Sequence, residues 1–145
     1  MEQSAERDRD LVTRAQVFPG KPESVPAARR FVMSLLDGCP VRPDAELLVT
    51  ETATNAIRHT RSGQPGGTFL VRVLLRPGWL VVAVIDQGGP LTVPARPGAL
   101  DTEDGRGLRI VAKLANRWAL DGDHTGRCAW FELVWDPADH DLLPN

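Results

Sequence analysis

A chain of 145 residues, 42% hydrophobic and 25% charged, has the size and balance of one globular domain that buries its own core. A net charge of -2 gives no basis for a nucleic-acid or acidic-membrane partner, and the longest apolar run, Trp79 to Ile85, is far too short to span a bilayer. The first residues lack the apolar stretch of a signal peptide, and Cys39 and Cys128 have neither metal-ligand spacing nor disulfide-scaffold density, so a cytoplasmic protein with two reduced thiols is expected.

One domain is expected over residues 11–136, with flexible tails at 1–10 and 137–145. Leu11 to Phe18 alternates like an edge strand and stops at Pro19-Gly20. Ser24 followed by Pro26 reads as a cap and first helical turn, and Val25, Ala28, Val32, Leu35 and Leu36 give that helix an apolar face as far as Gly38. Pro40 and Pro43 then break the chain ahead of a central helix, Asp44 to Thr60.

That helix has apolar or small residues at Leu48, Val49, Thr52, Ala53, Ala56 and Ile57, the spacing of one buried stripe. Glu51 and Asn55 fall one turn apart on the same shoulder, beside the stripe and not opposite it. Taken alone, the pair fits two readings: an ordinary solvated helix face, or a carboxylate and a carboxamide held side by side for chemistry.

The composition of Arg61 to Gly67 predicts a loop. Thr68 to Leu75 and Trp79 to Asp86 flank Arg76-Pro77-Gly78 and read as a β-hairpin whose second strand is almost wholly apolar. Asp86 stands where that apolar run stops, before Gln87-Gly88-Gly89-Pro90. A carboxylate there either bonds the N–H groups of its own turn or opens onto a binding site.

Leu91 to Asp104 has no periodicity and reads as a loop of lid-like length. Gly105-Arg106-Gly107-Leu108 then leads into an amphipathic helix with Leu108, Val111, Leu114, Ala115 and Trp118 facing inward. Glycines at such a point either shape a turn or let backbone N–H groups approach an anion. Trp118 to Leu120 predicts a strand, Asp121-Gly122-Asp123 a turn, and Arg127 to Trp135 a last apolar strand. The order of elements predicts an α+β two-layer sandwich, with a mixed, mostly antiparallel sheet and helices on one face.

Three separated segments stand in order: Glu-x-x-x-Asn on a helix, Asp-x-Gly at a strand end and Gly-x-Gly-Leu at a helix start. Together they resemble the GHKL ATPase and kinase family with its Bergerat, histidine-kinase-like ATP-binding fold. The small size is similar to that of its anti-sigma-factor serine/threonine kinases. The resemblance covers roughly Val12 to Trp135.

It implies ATP and Mg2+ as cofactors. Asn55 matches the magnesium-coordinating asparagine and Glu51 the general base. Asp86 matches the carboxylate that accepts from the adenine amino group, and Gly88 the glycine that lets the base lie against backbone. Gly105 and Gly107 match the phosphate-cradling turn, with Arg106 and Leu108 supplying N–H groups. His59 falls where small relatives often carry histidine, and no catalytic role is assigned to it.

The chain departs from the family in three places. Gln87-Gly88-Gly89-Pro90 keeps the first glycine but follows the rest of the family pattern only loosely. Glu103-Asp104 precede the glycines where some relatives have a basic residue, and Cys128 stands for a threonine that helps to bind adenine. The activity implied is ATP-dependent phosphorylation of a serine or threonine on an anti-sigma-factor antagonist, regulating transcription. A sigma factor is the second partner, a homodimer the expected assembly, and neither nucleic acid nor membrane is contacted directly. The alternative is a nucleotide-gated protein-binding module that transfers nothing.

Overall fold

Trp79–Asp86 alternates half-buried and buried residues along its whole length, with Leu80, Val82, Val84 and Asp86 turned inward. Successive side chains on a strand point to opposite faces, so this segment defines a covered face and a more open one. The computed structural model describes residues 10–88, 103–123 and 125–140, with side chains throughout except at 103–108. Five strands form one sheet: β1 (Val12–Pro19), β2 (Thr68–Arg76), β3 (Trp79–Asp86), β4 (Arg117–Asp123) and β5 (Gly126–Val134), in the order β1-β2-β3-β5-β4. All of these pairings are antiparallel, where a partly mixed sheet was expected. Two tight hairpins, β2–β3 and β4–β5, impose that direction locally.

The covered face is a set of cross-strand rows. Val73, Val82 and Phe131 make one row, and Val71, Val84 and Ala129 the next. Three helices lie over the sheet: α1 (Ser24–Met33), α2 (Arg42–His59) and α3 (Glu103–Leu114). Helix α2 runs against β2, β3 and β5, with α1 beside it towards β1 and α3 beside it towards β4. Its buried stripe, Ala45, Leu48, Val49, Thr52, Ala53 and Ala56, meets the β2–β3 rows, while Ala28, Val32 and Leu36 close the core from the α1 side. Full burial of side chains of this kind contributes about 1.5–3 kcal/mol each before chain entropy is set against it. The result is an α+β two-layer sandwich, an antiparallel sheet with the helices on one face.

Several boundaries differ from the expectation, each for a local reason. Ser24 is buried at the first position of α1 and caps nothing; Glu23 precedes it, without a side-chain cap bond. Helix α1 ends at Met33, and Leu35 and Leu36 continue inward through tighter turns whose N–H groups reach the carbonyls of Val32 and Met33. Helix α2 takes in Pro43, which stands in the first turn where an N–H is not needed.

The chain leaves α3 after Leu114. The Asn116 N–H donates to the Glu132 carbonyl, and its side-chain oxygen accepts from the Val134 N–H, so Asn116 already belongs to the sheet edge. Trp118 therefore sits on β4, opposite Phe131 and partly exposed, and not on a helix. Asp121-Gly122-Asp123 is strand, and the turn falls between Asp123 and Gly126. Gly122, at φ 116°, is needed because a Cβ there would stand 2.2 Å from the Gly126 carbonyl oxygen.

A short 3-10 helix, Arg61–Gly63, extends α2 where a plain loop was expected, and another, Pro137–Asp139, follows β5. Among the described residues no helix is long and apolar enough to cross a membrane. The lid expected at Leu91 to Asp104 lies, as far as residue 102, outside the described residues, as do most of the expected tails at 1–10 and 137–145.

Candidate functional site

The inward row of β3 ends on a charge. Leu80, Val82 and Val84 are followed by Asp86, at the point where the strand emerges beneath the C-terminal half of α2. One small cavity is lined by Thr52, Asn55 and Ala56 of α2, Val84 and Asp86 of β3, Leu120 of β4, and Arg127 and Ala129 of β5. The fold thus brings Asn55 and Asp86 to one cavity, although helix and strand end lie far apart in the chain. Thr52 is fixed there by its hydroxyl, which donates to the Leu48 carbonyl at 2.8 Å.

Asp86 accepts a hydrogen bond from the Gly88 N–H at 2.7 Å, so the carboxylate does brace its own turn. Its other oxygen lies 3.7 Å from Nε of Arg127, an ion pair longer than a hydrogen bond. Burial pushes the Asp86 carboxyl above the ordinary aspartate value, although the Gly88 N–H and the Arg127 guanidinium both pull it down. Gly88 is buried at φ 65°, and its carbonyl accepts from the Arg61 N–H at 2.6 Å. Ser62 Oγ accepts from the Gln87 N–H at 3.0 Å, and Thr60 Oγ1 accepts from the Ser62 N–H. The end of α2 and the segment after β3 are therefore tied together by successive hydrogen bonds.

Glu51 lies one turn before Asn55 on the same half-buried shoulder of α2, but it does not line this cavity. Gly105, Arg106, Gly107 and Leu108 lie inside α3, within its first turn and a half, and not in a turn ahead of it. With the helix beginning at Glu103, the N–H groups of Gly107 and Leu108 fall within the i to i−4 ladder, whereas that of Gly105 remains in the first turn, where no intrahelical partner exists. Helix α3 packs against α2, which brings this end of the molecule to the same side of the sheet. His59 is buried at the last position of α2.

The structure corrects one position and adds one. Cys128 pairs with Ile85 and so lies on the sheet face away from Asp86, while Arg127 stands directly opposite Asp86. Cys128 therefore does not replace a base-binding threonine in this cavity; its thiol is pushed up by burial first and by the Asp121 carboxylate second. Arg127, which the sequence reading passed over, is the basic group of the site. Strand alternation backwards from Phe131 through Ala129 would have turned it inward.

Among the described residues no three His, Cys, Asp or Glu side chains gather as a ready-made metal site. Magnesium on a nucleotide does not need such a cluster, because phosphates and water supply most of its oxygens, and the Asn55 amide oxygen is a hard ligand of the fitting kind. No curated protein matches the chain. The family model described as the histidine kinase-like ATPase domain matches residues 18–133, which take in the end of β1, all of β2, β3 and β4, nearly all of β5, and with them Asn55, Asp86 and the α3 glycines. The chain belongs to that GHKL-type family and is an ATP-binding, kinase-like protein.

Proposed function

We propose that this protein is a serine/threonine kinase that transfers the γ-phosphoryl group of Mg-ATP to an anti-sigma-factor antagonist, acting in the cytoplasm to regulate transcription. The observation that carries the reading is the convergence of Asn55 and Asp86 on one cavity in a fold of the ATPase type. Asp86 would accept from the adenine amino group, with Gly88 leaving room for the base. Asn55 would give its amide oxygen to magnesium, and the first turn of α3 would face the phosphates. Magnesium when bound would neutralise phosphate charge. Glu51 would take the proton of the acceptor hydroxyl as its oxygen bonds to the γ-phosphorus and the bond to the β-phosphate oxygen breaks, releasing ADP. A sigma factor as second partner and a homodimer as the working assembly belong to the same proposal.

A second reading is a nucleotide-gated binding module without phosphotransfer. It is favoured by one observation, the position of Glu51 outside the cavity that Asn55 and Asp86 line. The test common to both is calorimetric titration of the protein with ATP, with and without magnesium, beside Asn55→Ala. Magnesium-dependent binding that the variant loses supports the nucleotide site. An absence of binding at saturating ATP would overturn both readings.

A further inference from the structure

Arg127 is buried to 7% exposure, yet among the described residues its Nε and Nη1 have no hydrogen-bond partner; there only Nη2 reaches an acceptor, the His59 carbonyl, at 3.3 Å. A guanidinium carries donors only and stays charged, so unfilled N–H groups in such a place are costly unless something brings an acceptor. Among the described residues the surroundings do not bring one. Val84, Leu120 and Ala129 form apolar wall, and an Asp86 carboxylate oxygen stands 3.7 Å from Nε. The space enclosed here is about 20 Å³, room for about one water, so a base meeting this pair would lie at the mouth of the cavity and not inside it.

Opposite each other on β3 and β5, Asp86 and Arg127 present an acceptor beside donors at the end of an otherwise apolar row. Adenine presents the complement: an exocyclic amine that donates, flanked by ring nitrogens that accept. We propose that Arg127 reads the base, its guanidinium donating to a ring nitrogen beside the amine that Asp86 accepts from. This rests on the nucleotide reading above and deepens it: base selection is made by a pair of charged side chains, with Arg127 as the specificity-determining member.

The experiment is calorimetric titration of wild type, Arg127→Ala and Arg127→Met with ATP, 1-deaza-ATP, 7-deaza-ATP and GTP, with thermal unfolding of each variant as a check on folding. Met keeps an apolar stem in the packing should Ala fail to fold. Loss of a charge-assisted hydrogen bond corresponds to about a 10- to 100-fold weakening. The wild type should lose that much with one of the two deaza analogues. The variants should lose a similar amount for ATP itself, with no further loss for that analogue. That last result separates direct contact from an effect through Asp86, because an altered carboxylate would leave the deaza penalty in place. Deaza analogues that both bind like ATP, a deaza penalty that persists in the variants, or GTP bound more tightly than ATP would overturn the proposal. A wild type that binds no nucleotide would instead bring down the nucleotide reading itself, and this one with it.

Discussion

The Gln87 N–H donates to Ser62 Oγ across 3.0 Å, joining the segment that carries Gly88 to the short 3-10 turn after α2. Ser62 is fully buried, and neighbouring chain crowds it: a Cβ on Gly20 would fall 1.5 Å from the Ser62 carbonyl oxygen. The edge of the candidate base site is thus held by backbone packed too closely to slide. Ser62→Ala should therefore destabilise the protein by about 0.5–1.5 kcal/mol, the net worth of a hydrogen bond whose N–H is only partly buried. It should also weaken ATP binding. Urea unfolding and calorimetry read the two effects; a variant as stable as wild type would show that this tie carries no weight.

Gly88 holds a left-handed conformation at φ 65° while its N–H caps Asp86. Gly88→Ala should cost about 1–2 kcal/mol of stability through backbone strain. Loss of ATP affinity beyond what global destabilisation explains is the expected second effect, measured at a temperature where the variant is fully folded.

Asp86→Asn should weaken ATP binding about tenfold or more, since a hydrogen bond to a charged group is worth about 1.5–3 kcal/mol. The wild-type pH dependence follows from the raised carboxyl. ATP affinity should fall as pH drops through a point above the ordinary aspartate value of 3.8, and this acid limb should disappear in the variant. Stability runs the other way. The folded protein holds this proton more tightly than the unfolded chain, so the contribution of Asp86 is present below pH 3.8 and is lost as pH rises through the raised value. Calorimetry and unfolding over a pH series check both directions.

Glu51→Ala should leave ATP binding within about twofold of wild type, because Glu51 does not line the cavity of Asn55 and Asp86. Phosphotransfer should fall by about 10²–10⁴, the usual worth of a general base. Radiolabelled transfer to a serine-bearing antagonist measures it. Wild-type transfer in the variant would remove Glu51 from the mechanism, and an absence of transfer by the wild type would favour the gated-module reading.

Much of the fold was legible because its signals are local. The buried stripe of α2 and the apolar alternation of β3 each lie within one segment, and they placed Asn55 beside the core and Asp86 at a strand end before any tertiary contact was known. The β2–β3 hairpin was legible for the same reason, its turn chemistry lying between two apolar runs. The boundaries at Gly122 and Trp118 were not. A glycine flanked by aspartates signals a turn by composition, but a strand edge that must approach Gly126 and Arg127 needs the same glycine.

By itself, then, the sequence determined the helix that carries Glu51 and Asn55, the strand that delivers Asp86 and the glycines of α3, because helical and strand periodicity are properties of contiguous residues. Only the tertiary structure decided which side chain faces Asp86. That choice belongs to the register between β3 and β5, set by packing of Val82 on Phe131 and Leu80 on Leu133 across a long separation in the chain. A slip of one residue would have turned Cys128 inward and Arg127 out, and the buried Phe131 and Leu133 rows forbid it.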